Sequence, residues 1–403
     1  MNNYFNKGFR SVCVKDVILE DKSAHVPPIY STSTFTYSDL EKAFEFFKTG
    51  KKAGVYTYSR LGNPTIDFVA EKIAALETYG LGMIAYGALF SSGMAAISTA
   101  ILSHVKAGDK ILTQGNLYGT TNELMHTLLK DWDIDVIQTD FKNLDELHNI
   151  FESENNIRLI YIETPVNPTI ELIDIPAITA LAKKYAVKTV ADNTFATPYF
   201  LQPIKHGVDV VIHSSTKFLN GHGTGTSGAL VCTDETYFRT KVYPLQKMLG
   251  AICSPFEAFL LNNGIKTLPL RMEQHQENAL ALAKFLHQHE KVNFVNYIGL
   301  EEHKDHQLAK KIMTGYGGML SFELKGGLES GMNFLRNIRF CTLTASLGTA
   351  DTLVTHPAST SHVNVSKEQR LAYNITDGLI RISVGMENIE DILDDFNQAL
   401  SKV

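Results

Sequence analysis

The chain has 403 residues, 44% of them hydrophobic, enough to bury a sizeable core in about two domains. Its formal net charge of −6, with acids and bases interspersed, offers no basic stripe to a phosphodiester backbone and argues against a nucleic-acid partner. No apolar run approaches the ~20 residues of a membrane span, and the opening MNNYFNKGFRS lacks the apolar core of a signal peptide, so a cytoplasmic protein without a membrane partner is expected. Cys13, Cys232, Cys253 and Cys341 lack CxxC spacing and read as buried thiols, with neither disulfides nor a metal site implied.

Residues 1–62 show no helical period except at 40–47. Pro27-Pro28 and the hydroxyl run Tyr30-Ser31-Thr32-Ser33-Thr34 suit an extended arm, which must lie on the main domain or on a second subunit. In YSRLGNPT, residues 58–65, Asn63 makes an N-cap and Pro64 a first helical residue, and Ile66, Val69, Ile73 and Leu76 mark one face of the helix that follows. Tyr58 and Arg60 therefore stand exposed just before a helix start. Residues 85–91 read as a strand entering Ser92-Gly93-Met94, with helical composition from 95 to 105. A strand, a small-residue turn and a helix start together make an anion site, although a plain strand-to-helix turn has the same appearance. The strand at 110–113 leads into a segment in which Tyr118, flanked by glycine, has little apolar company; an aromatic there suits stacking on a flat cofactor.

The strand at 158–163 closes in Thr164-Pro165-Val166-Asn167-Pro168-Thr169, a loop made rigid by its prolines. Asp174 and Pro176 start a helix to residue 185, and the strand at 187–191 delivers Asp192. Residues 208–212 form a β-branched run that ends in His213-Ser214-Ser215-Thr216-Lys217. Strands and helices alternate at crossover spacing, which predicts an α/β fold with one mostly parallel sheet. Beyond residue 271, helical stretches at 273–289 and 389–400 meet strands at 318–324 and 380–384, a smaller α+β unit. The expected divisions are an arm at 1–62 lying on the main domain or on a neighbouring subunit, a large domain at 63–265 and a small domain at 266–403.

Two motifs mislead. Gly223, Gly225 and Gly228 spell GxGxxG, but residues 229–232 continue as a strand where a dinucleotide site needs a helix. Ser214 and Lys217 spell SxxK, yet the KTG at 48–50 lies upstream and no SDN exists, which argues against a serine hydrolase.

A lone lysine in a loop is usually a solvated charge, and an aspartate after a strand usually a turn residue. Lys217 and Asp192, however, end neighbouring strands where an open α/β sheet gathers its ligands. A lysine to form an imine and a carboxylate to keep a pyridine nitrogen protonated are what pyridoxal 5'-phosphate (PLP) requires of a protein.

Over nearly its whole length the chain resembles the PLP-dependent enzymes of cysteine and methionine metabolism, the trans-sulfuration family. The resemblance rests on YSRLGNPT at 58–65, SSGMAAI at 91–97, ETPVNPT at 163–169, ADNTFATPY at 191–199, HSSTKFLNGHG at 213–223, SLGTADTLVTHPAST at 346–360 and LIRISVG at 379–385. It implies a fold-type I, aspartate-aminotransferase-like transferase fold. It also implies that Lys217 is the Schiff-base lysine and Asp192 the partner of the ring nitrogen, that Gly93, Met94, Ser214 and Thr216 cradle the phosphate, and that Tyr118 stacks on the ring and acts as an acid–base group. Arg381 and Ser346 match the site for the substrate α-carboxylate, with Asn167 a further substrate-binding residue. Tyr58 and Arg60 of one subunit reach the phosphate of its neighbour's cofactor, so a homodimer, usually paired into a homotetramer, is implied.

Departures from the family bear on the reaction. Methionine γ-lyases carry a cysteine two residues after the stacking tyrosine and a lysine where Gln246 stands; this chain has Thr120 at the first place. Cystathionine enzymes hold the distal ammonium with a glutamate before SLG, whereas Ala345 here leaves it without a partner, a loss on the order of a few kcal/mol of discrimination. Residues 356–360, 249–251 and 254–256 look most like O-acetylhomoserine sulfhydrylases, while the compact length is nearer the γ-lyases. The expectation is γ-replacement, in which O-acetyl-L-homoserine and sulfide or a thiol give homocysteine or methionine. The alternative is a γ-lyase releasing 2-oxobutanoate, ammonia and a thiol from methionine, homocysteine or cystathionine. A non-catalytic PLP-binding relative is the remote alternative.

Overall fold

The computed structural model describes residues 7–16, 24–37, 39–49, 55–360, 363 and 366–403. Parts of the expected arm, residues 1–6, 17–23 and 50–54, lie outside the described residues, as does Gly50 of the misleading KTG.

One sheet has seven strands: β1 (Tyr86–Phe90), β2 (Lys110–Gln114), β3 (Asp135–Thr139), β4 (Ile157–Glu163), β5 (Lys188–Asp192), β6 (Val210–His213) and β7 (Gly228–Cys232), in the order β1-β7-β6-β5-β4-β2-β3. From β3 to β6 all neighbours are parallel. Residues 214–227 make turns and no crossover helix, so β7 runs back antiparallel to both β6 and β1. A second sheet has the order β10-β11-β12-β9-β8, with β8 Val292–Asn296, β9 Met319–Leu324, β10 Thr342–Leu343, β11 Leu353–Thr355 and β12 Leu379–Ser383.

Strand periodicity divides the large sheet's side chains between two cores. Leu159, Tyr161, Val190, Val210 and Ile212 pack with Ala96, Ile97 and Ala100 of the helix Gly93–Leu102. Ile160, Ile162, Ala191 and Val211 pack on the other face with Ile66, Val69, Ile73 and Leu76 of the helix Pro64–Glu77, whose cap is the expected one: the Asn63 side chain accepts from the Thr65 N–H at 3.0 Å. Counting two residues on from Tyr161 and Val190 puts Glu163 and Asp192 on the first of these faces, at the carboxyl ends of adjacent strands.

The small sheet closes over Leu282, Leu286, Phe322, Phe334, Ile380, Ile382 and Phe396. Ile380 and Ile382 point into that core, so Arg381 points the other way. The helix Leu268–His287 belongs to both cores: Leu268 and Met272 lie in the large one, Ala279 to Leu286 in the small one. All four cysteines are buried and free.

The short helix Phe9–Val14 is anchored by a buried charge cluster. Lys72, 1% exposed, donates to Asp16 Oδ1 at 2.6 Å, to Asn262 Oδ1 at 2.7 Å and to the Cys13 carbonyl at 3.2 Å, and Lys266 pairs with Asp16 Oδ2 at 2.6 Å. Burial pushes the Asp16 carboxyl up, but the bonds from Lys266 and Lys72 outweigh it and hold it below the usual carboxylate range. The stability it confers is therefore present above the unfolded value of about 4 and lost as pH falls through the lower folded value. Asp16→Ala leaves Lys72 buried without a counter-charge and should cost ~3–5 kcal/mol in denaturant unfolding at neutral pH. Lys72→Met should cost less, because Asp16 keeps Lys266; equal losses would contradict this account of the cluster.

Candidate active site

Lys217 sits in the turn beyond β6. Its backbone N–H bonds the Ser214 carbonyl at 3.1 Å, and Gly221 N–H returns to the Lys217 carbonyl at 2.8 Å. The turn is pinned against the start of β7: Thr216 N–H and Oγ1 donate to the Ser227 carbonyl at 3.2 and 3.1 Å, and Ser215 Oγ meets Ser227 Oγ at 2.8 Å. Lys217 Nζ donates to Ser346 Oγ at 3.1 Å, which brings the loop before β11 over the large sheet. Burial, and next the nearby charge of Arg381, lower the affinity of the Lys217 amine for its proton.

Asp192, 8% exposed, ends β5. Its Oδ1 accepts from both the N–H (2.9 Å) and the hydroxyl (2.5 Å) of Thr194, and Thr194 Oγ1 in turn accepts from Ser214 N–H at 2.8 Å. No described residue donates to Oδ2. Burial raises the Asp192 proton affinity, against the Thr194 bonds and the charge of His213. Beside Ser214 stands the start of the helix Gly93–Leu102, capped by Ser92, whose side chain accepts from Ala95 N–H at 3.1 Å. A Cβ on Gly93 would lie 2.7 Å from Ser214 Cβ, so only glycine lets the helix start reach the strand end. Met94 faces Thr121, whose hydroxyl is 3.8 Å from Sδ.

Glu163, directly across from Asp192 in the β4–β5 pair, is a residue to which the sequence reading gave no role. Its Oε2 accepts from Tyr118 N–H at 2.7 Å and its Oε1 from Asn167 N–H at 3.1 Å, so one carboxylate places both backbones. Burial first, and the Asp192 charge second, push it up. The proline loop that follows has cis bonds at Thr164-Pro165 and Asn167-Pro168. Asn167 Oδ1 accepts from Arg381 Nη1 at 3.0 Å; Arg381 Nη2 reaches the carbonyls of Ala345 (3.2 Å) and Ser346 (2.9 Å). Arg381 is 4% exposed, its Nε has no partner and it forms no ion pair among the described residues, so a buried guanidinium lacks a carboxylate. Burial lowers its pKa to about 10, which leaves it cationic at neutral pH.

Lys217, Asp192, Ser214, Thr216, Gly93, Met94, Asn167, Ser346 and Arg381 thus lie on interlocking elements, and Tyr118, 44% exposed, is tied to them through Glu163. Tyr58 and Arg60 are not joined to this cluster by any hydrogen bond or ion pair among the described residues. Arg60 lies over the Tyr58 ring at 5.3 Å and donates to the Lys247 carbonyl at 2.9 Å. Behind Asp192, on the opposite face, lies a buried group that the sequence reading missed: His213 Nε2 bonds Glu77 Oε1 at 2.5 Å, and Asn193 Nδ2 donates to the same oxygen at 3.0 Å. The only sequence signal was the adjacency of Asn193 to Asp192 and of His213 to Ser214.

The donor set fits PLP: a half-buried amine whose hydrogen-bond partner among the described residues is a hydroxyl, a carboxylate with one oxygen that no described residue donates to, a glycine-tight helix start for a phosphate, and a buried guanidinium with no carboxylate among the described residues. With two sheets of seven and five strands this defines a fold-type I PLP enzyme. Residues 11–401 match the Cys/Met metabolism PLP-dependent enzyme family, and the chain belongs to it. An L-methionine gamma-lyase of Fusobacterium nucleatum subsp. nucleatum is 44% identical over 377 residues, 93% of each chain. A cystathionine beta-lyase of Lactococcus lactis subsp. cremoris is 43% identical over 375 residues, again 93% of each. The crystal structure of cystathionine gamma synthase from Xanthomonas oryzae pv. oryzae in complex with cystathionine has a TM-score of 0.90 at 35% identity, covering 98% of both chains. The protein is accordingly a PLP-dependent trans-sulfuration enzyme with small-molecule amino-acid substrates. These relatives favour the elimination alternative over the sulfide transfer expected from sequence. No described helix is long and apolar enough to cross a membrane.

Glu163→Gln offers one acceptor where there were two, stranding the N–H of Tyr118 or Asn167 at a cost of ~1–3 kcal/mol. Thermal unfolding should register that loss and dialysis should release PLP faster; unchanged values of both would contradict the placing role.

Proposed function

We propose that the protein is a carbon–sulfur γ-lyase that, with water, converts methionine or a close sulfur amino acid into a thiol, ammonia and an α-keto acid. The reading is carried by the 44% identity to an L-methionine gamma-lyase across 93% of both chains. Ala345 supports a substrate with a single ammonium, since its methyl group offers nothing to a second one, and this weighs against cystathionine.

In this reading Gly93, Met94, Ser214 and Thr216 would hold the cofactor phosphate, Asp192 would keep the ring nitrogen protonated and Tyr118 would stack on the ring. Bound PLP supplies the electron sink that accepts the electron pair left on the substrate Cα. Arg381 forks onto the substrate carboxylate, with Asn167 and the carbonyls of Ala345 and Ser346 fixing its plane, and so orients the Cα–H bond. Lys217, whose proton affinity burial and Arg381 reduce, takes the proton from Cα and serves the next carbon along. Tyr118 gives its phenolic proton to the departing sulfur.

We infer further that a second copy completes the site. Arg60 and Tyr58 stand beside Lys247, next to Met248 and Leu249, which are 69% and 57% exposed, and the helix Leu40–Thr49 exposes Leu40, Phe44 and Phe47. Apolar surface of this kind suits coverage by an identical chain whose Tyr58 and Arg60 reach the other phosphate.

The test is incubation of the holoenzyme with methionine, and separately with O-acetylhomoserine and sulfide. Keto acid and methanethiol from methionine are expected; homocysteine from the second mixture with no product from the first would restore the sulfide-transfer reading. Tyr118→Phe should lower kcat on methionine by about a hundredfold or more; an unchanged kcat would remove Tyr118 from the proton step.

A further inference from the structure

The turn that carries Lys217 is gripped from below by one buried cation. Arg271, on the helix Leu268–His287, is 3% exposed and donates from Nη1 to the Phe218 carbonyl at 2.7 Å and from Nη2 to the carbonyls of Gly264 at 2.7 Å and Leu219 at 3.4 Å; its Nε reaches Thr267 Oγ1 at 3.0 Å. The fit is close: Gly221 has φ +71°, and a Cβ there would lie 1.9 Å from Arg271 Nη1. Arg271 forms no ion pair among the described residues. An arginine buried without a counter-ion is a poor device for stability alone, because an apolar side chain of similar volume avoids the desolvation cost. Its planar fork, however, can hold several carbonyl oxygens in one fixed arrangement, which no apolar side chain can do.

The same helix face continues to the substrate side. His275, one turn on, sets its ring edge-on to Phe218 with centroids 5.3 Å apart and bonds the Val384 carbonyl through Nδ1 at 2.7 Å. Asn278 Nδ2 donates to the carbonyls of Gly385 at 3.1 Å and Glu387 at 2.8 Å. Residues 271, 275 and 278 share one side of a helix, so this ridge joins the residues directly after Lys217 to the chain directly after β12, the strand that carries Arg381. Burial lowers the His275 pKa to about 4, so its ring is neutral and takes no part as a charge near neutral pH.

We propose that Arg271 is a positioning residue for the reaction: by fixing the Phe218 and Leu219 carbonyls it sets where the Lys217 amine stands relative to Arg381 and to the substrate Cα held there. The proposal rests on the reading of Lys217 as the cofactor-linked, proton-moving amine. A misplacement of about 1 Å far from the reacting atoms can cost a hundredfold in rate while leaving binding groups intact.

The test compares Arg271→Met and Arg271→Lys holoenzymes with the unmodified holoenzyme. In R271M, kcat should fall about tenfold or more while KM stays within about twofold, because Arg381 and Asn167 still bind the carboxylate. The pH midpoint of the cofactor's visible absorbance should shift, since the nitrogen at position 217 no longer sits at its former distance from Arg381. R271K, which keeps the charge but not the fork, should recover part of kcat. Loss of thermal stability with kcat and midpoint unchanged would reduce Arg271 to a brace and overturn the proposal. Should R271M fail to fold, R271K decides alone: a lowered kcat at constant KM supports positioning, and an unchanged kcat overturns it. If the unmodified holoenzyme shows no pH-dependent visible band of a lysine-linked cofactor, the Lys217 reading itself has failed, and the proposal falls with it whatever the variants do.

Discussion

Two cationic side chains, Arg381 buried and Lys217 half-buried, meet at Ser346 beyond the carboxyl end of β6, and among the described residues neither has an acidic partner. Burial penalises both charges, and the charge of Arg381 adds to the penalty on Lys217. The two are unequal bases, so the strain is not shared equally. Arginine keeps its proton at any physiological pH and lysine gives way. The outcome is a division of labour: a permanent cation that wants a carboxylate, and beside it an amine with more of the free base that a carbonyl cofactor needs. The opposite wall works the same way with acids, where Glu163 and Asp192 face each other across two strands and both bind protons more readily than they would in water. A cationic ring nitrogen laid against Asp192 would relieve that penalty.

What places these groups is ordinary strand geometry. Alternation along β4 and β5 puts Glu163 and Asp192 on the face of the helix Gly93–Leu102, and the same alternation along β12 turns Arg381 away from the small core. Each wall is then tied by backbone bonds to the loop it must control: Glu163 to Tyr118 and Asn167, Thr194 to Ser214, Arg271 to Phe218 and Leu219. The Glu77–His213–Asn193 group lies behind Asp192, where Glu77 Oε2, His213 Nδ1 and Asn193 Oδ1 are buried without partners among the described residues.

The parts of this arrangement that sequence could show are those written locally. Asn63-Pro64 announces a helix start, a β-branched run announces β6, Asp192 ends a strand and Lys217 follows one within a few residues. The parts it hid depend on partners far along the chain. Glu163 meets Tyr118, Arg271 meets the Lys217 turn and Glu77 meets His213 only after the sheet has formed, and nothing in a single residue's neighbours announces such a meeting. The expected division near residue 265 passes over the fact that the helix Leu268–His287 serves two cores, because an amphipathic period does not say which core each face will enter. The leaning toward sulfide transfer arose from the short motifs at 249–251, 254–256 and 356–360 and from the departures at Thr120, Gln246 and Ala345. Gln246 in fact turns inward to donate to the Leu89 carbonyl, a contact that no motif discloses.

The central claim is that one amine, on the turn beyond β6, carries the cofactor. Borohydride reduction of the purified holoenzyme followed by proteolysis and peptide mass mapping tests it directly. A pyridoxyl-modified peptide with the adduct on Lys217 is the expected result; an adduct on any other lysine, or none at all, would contradict the account.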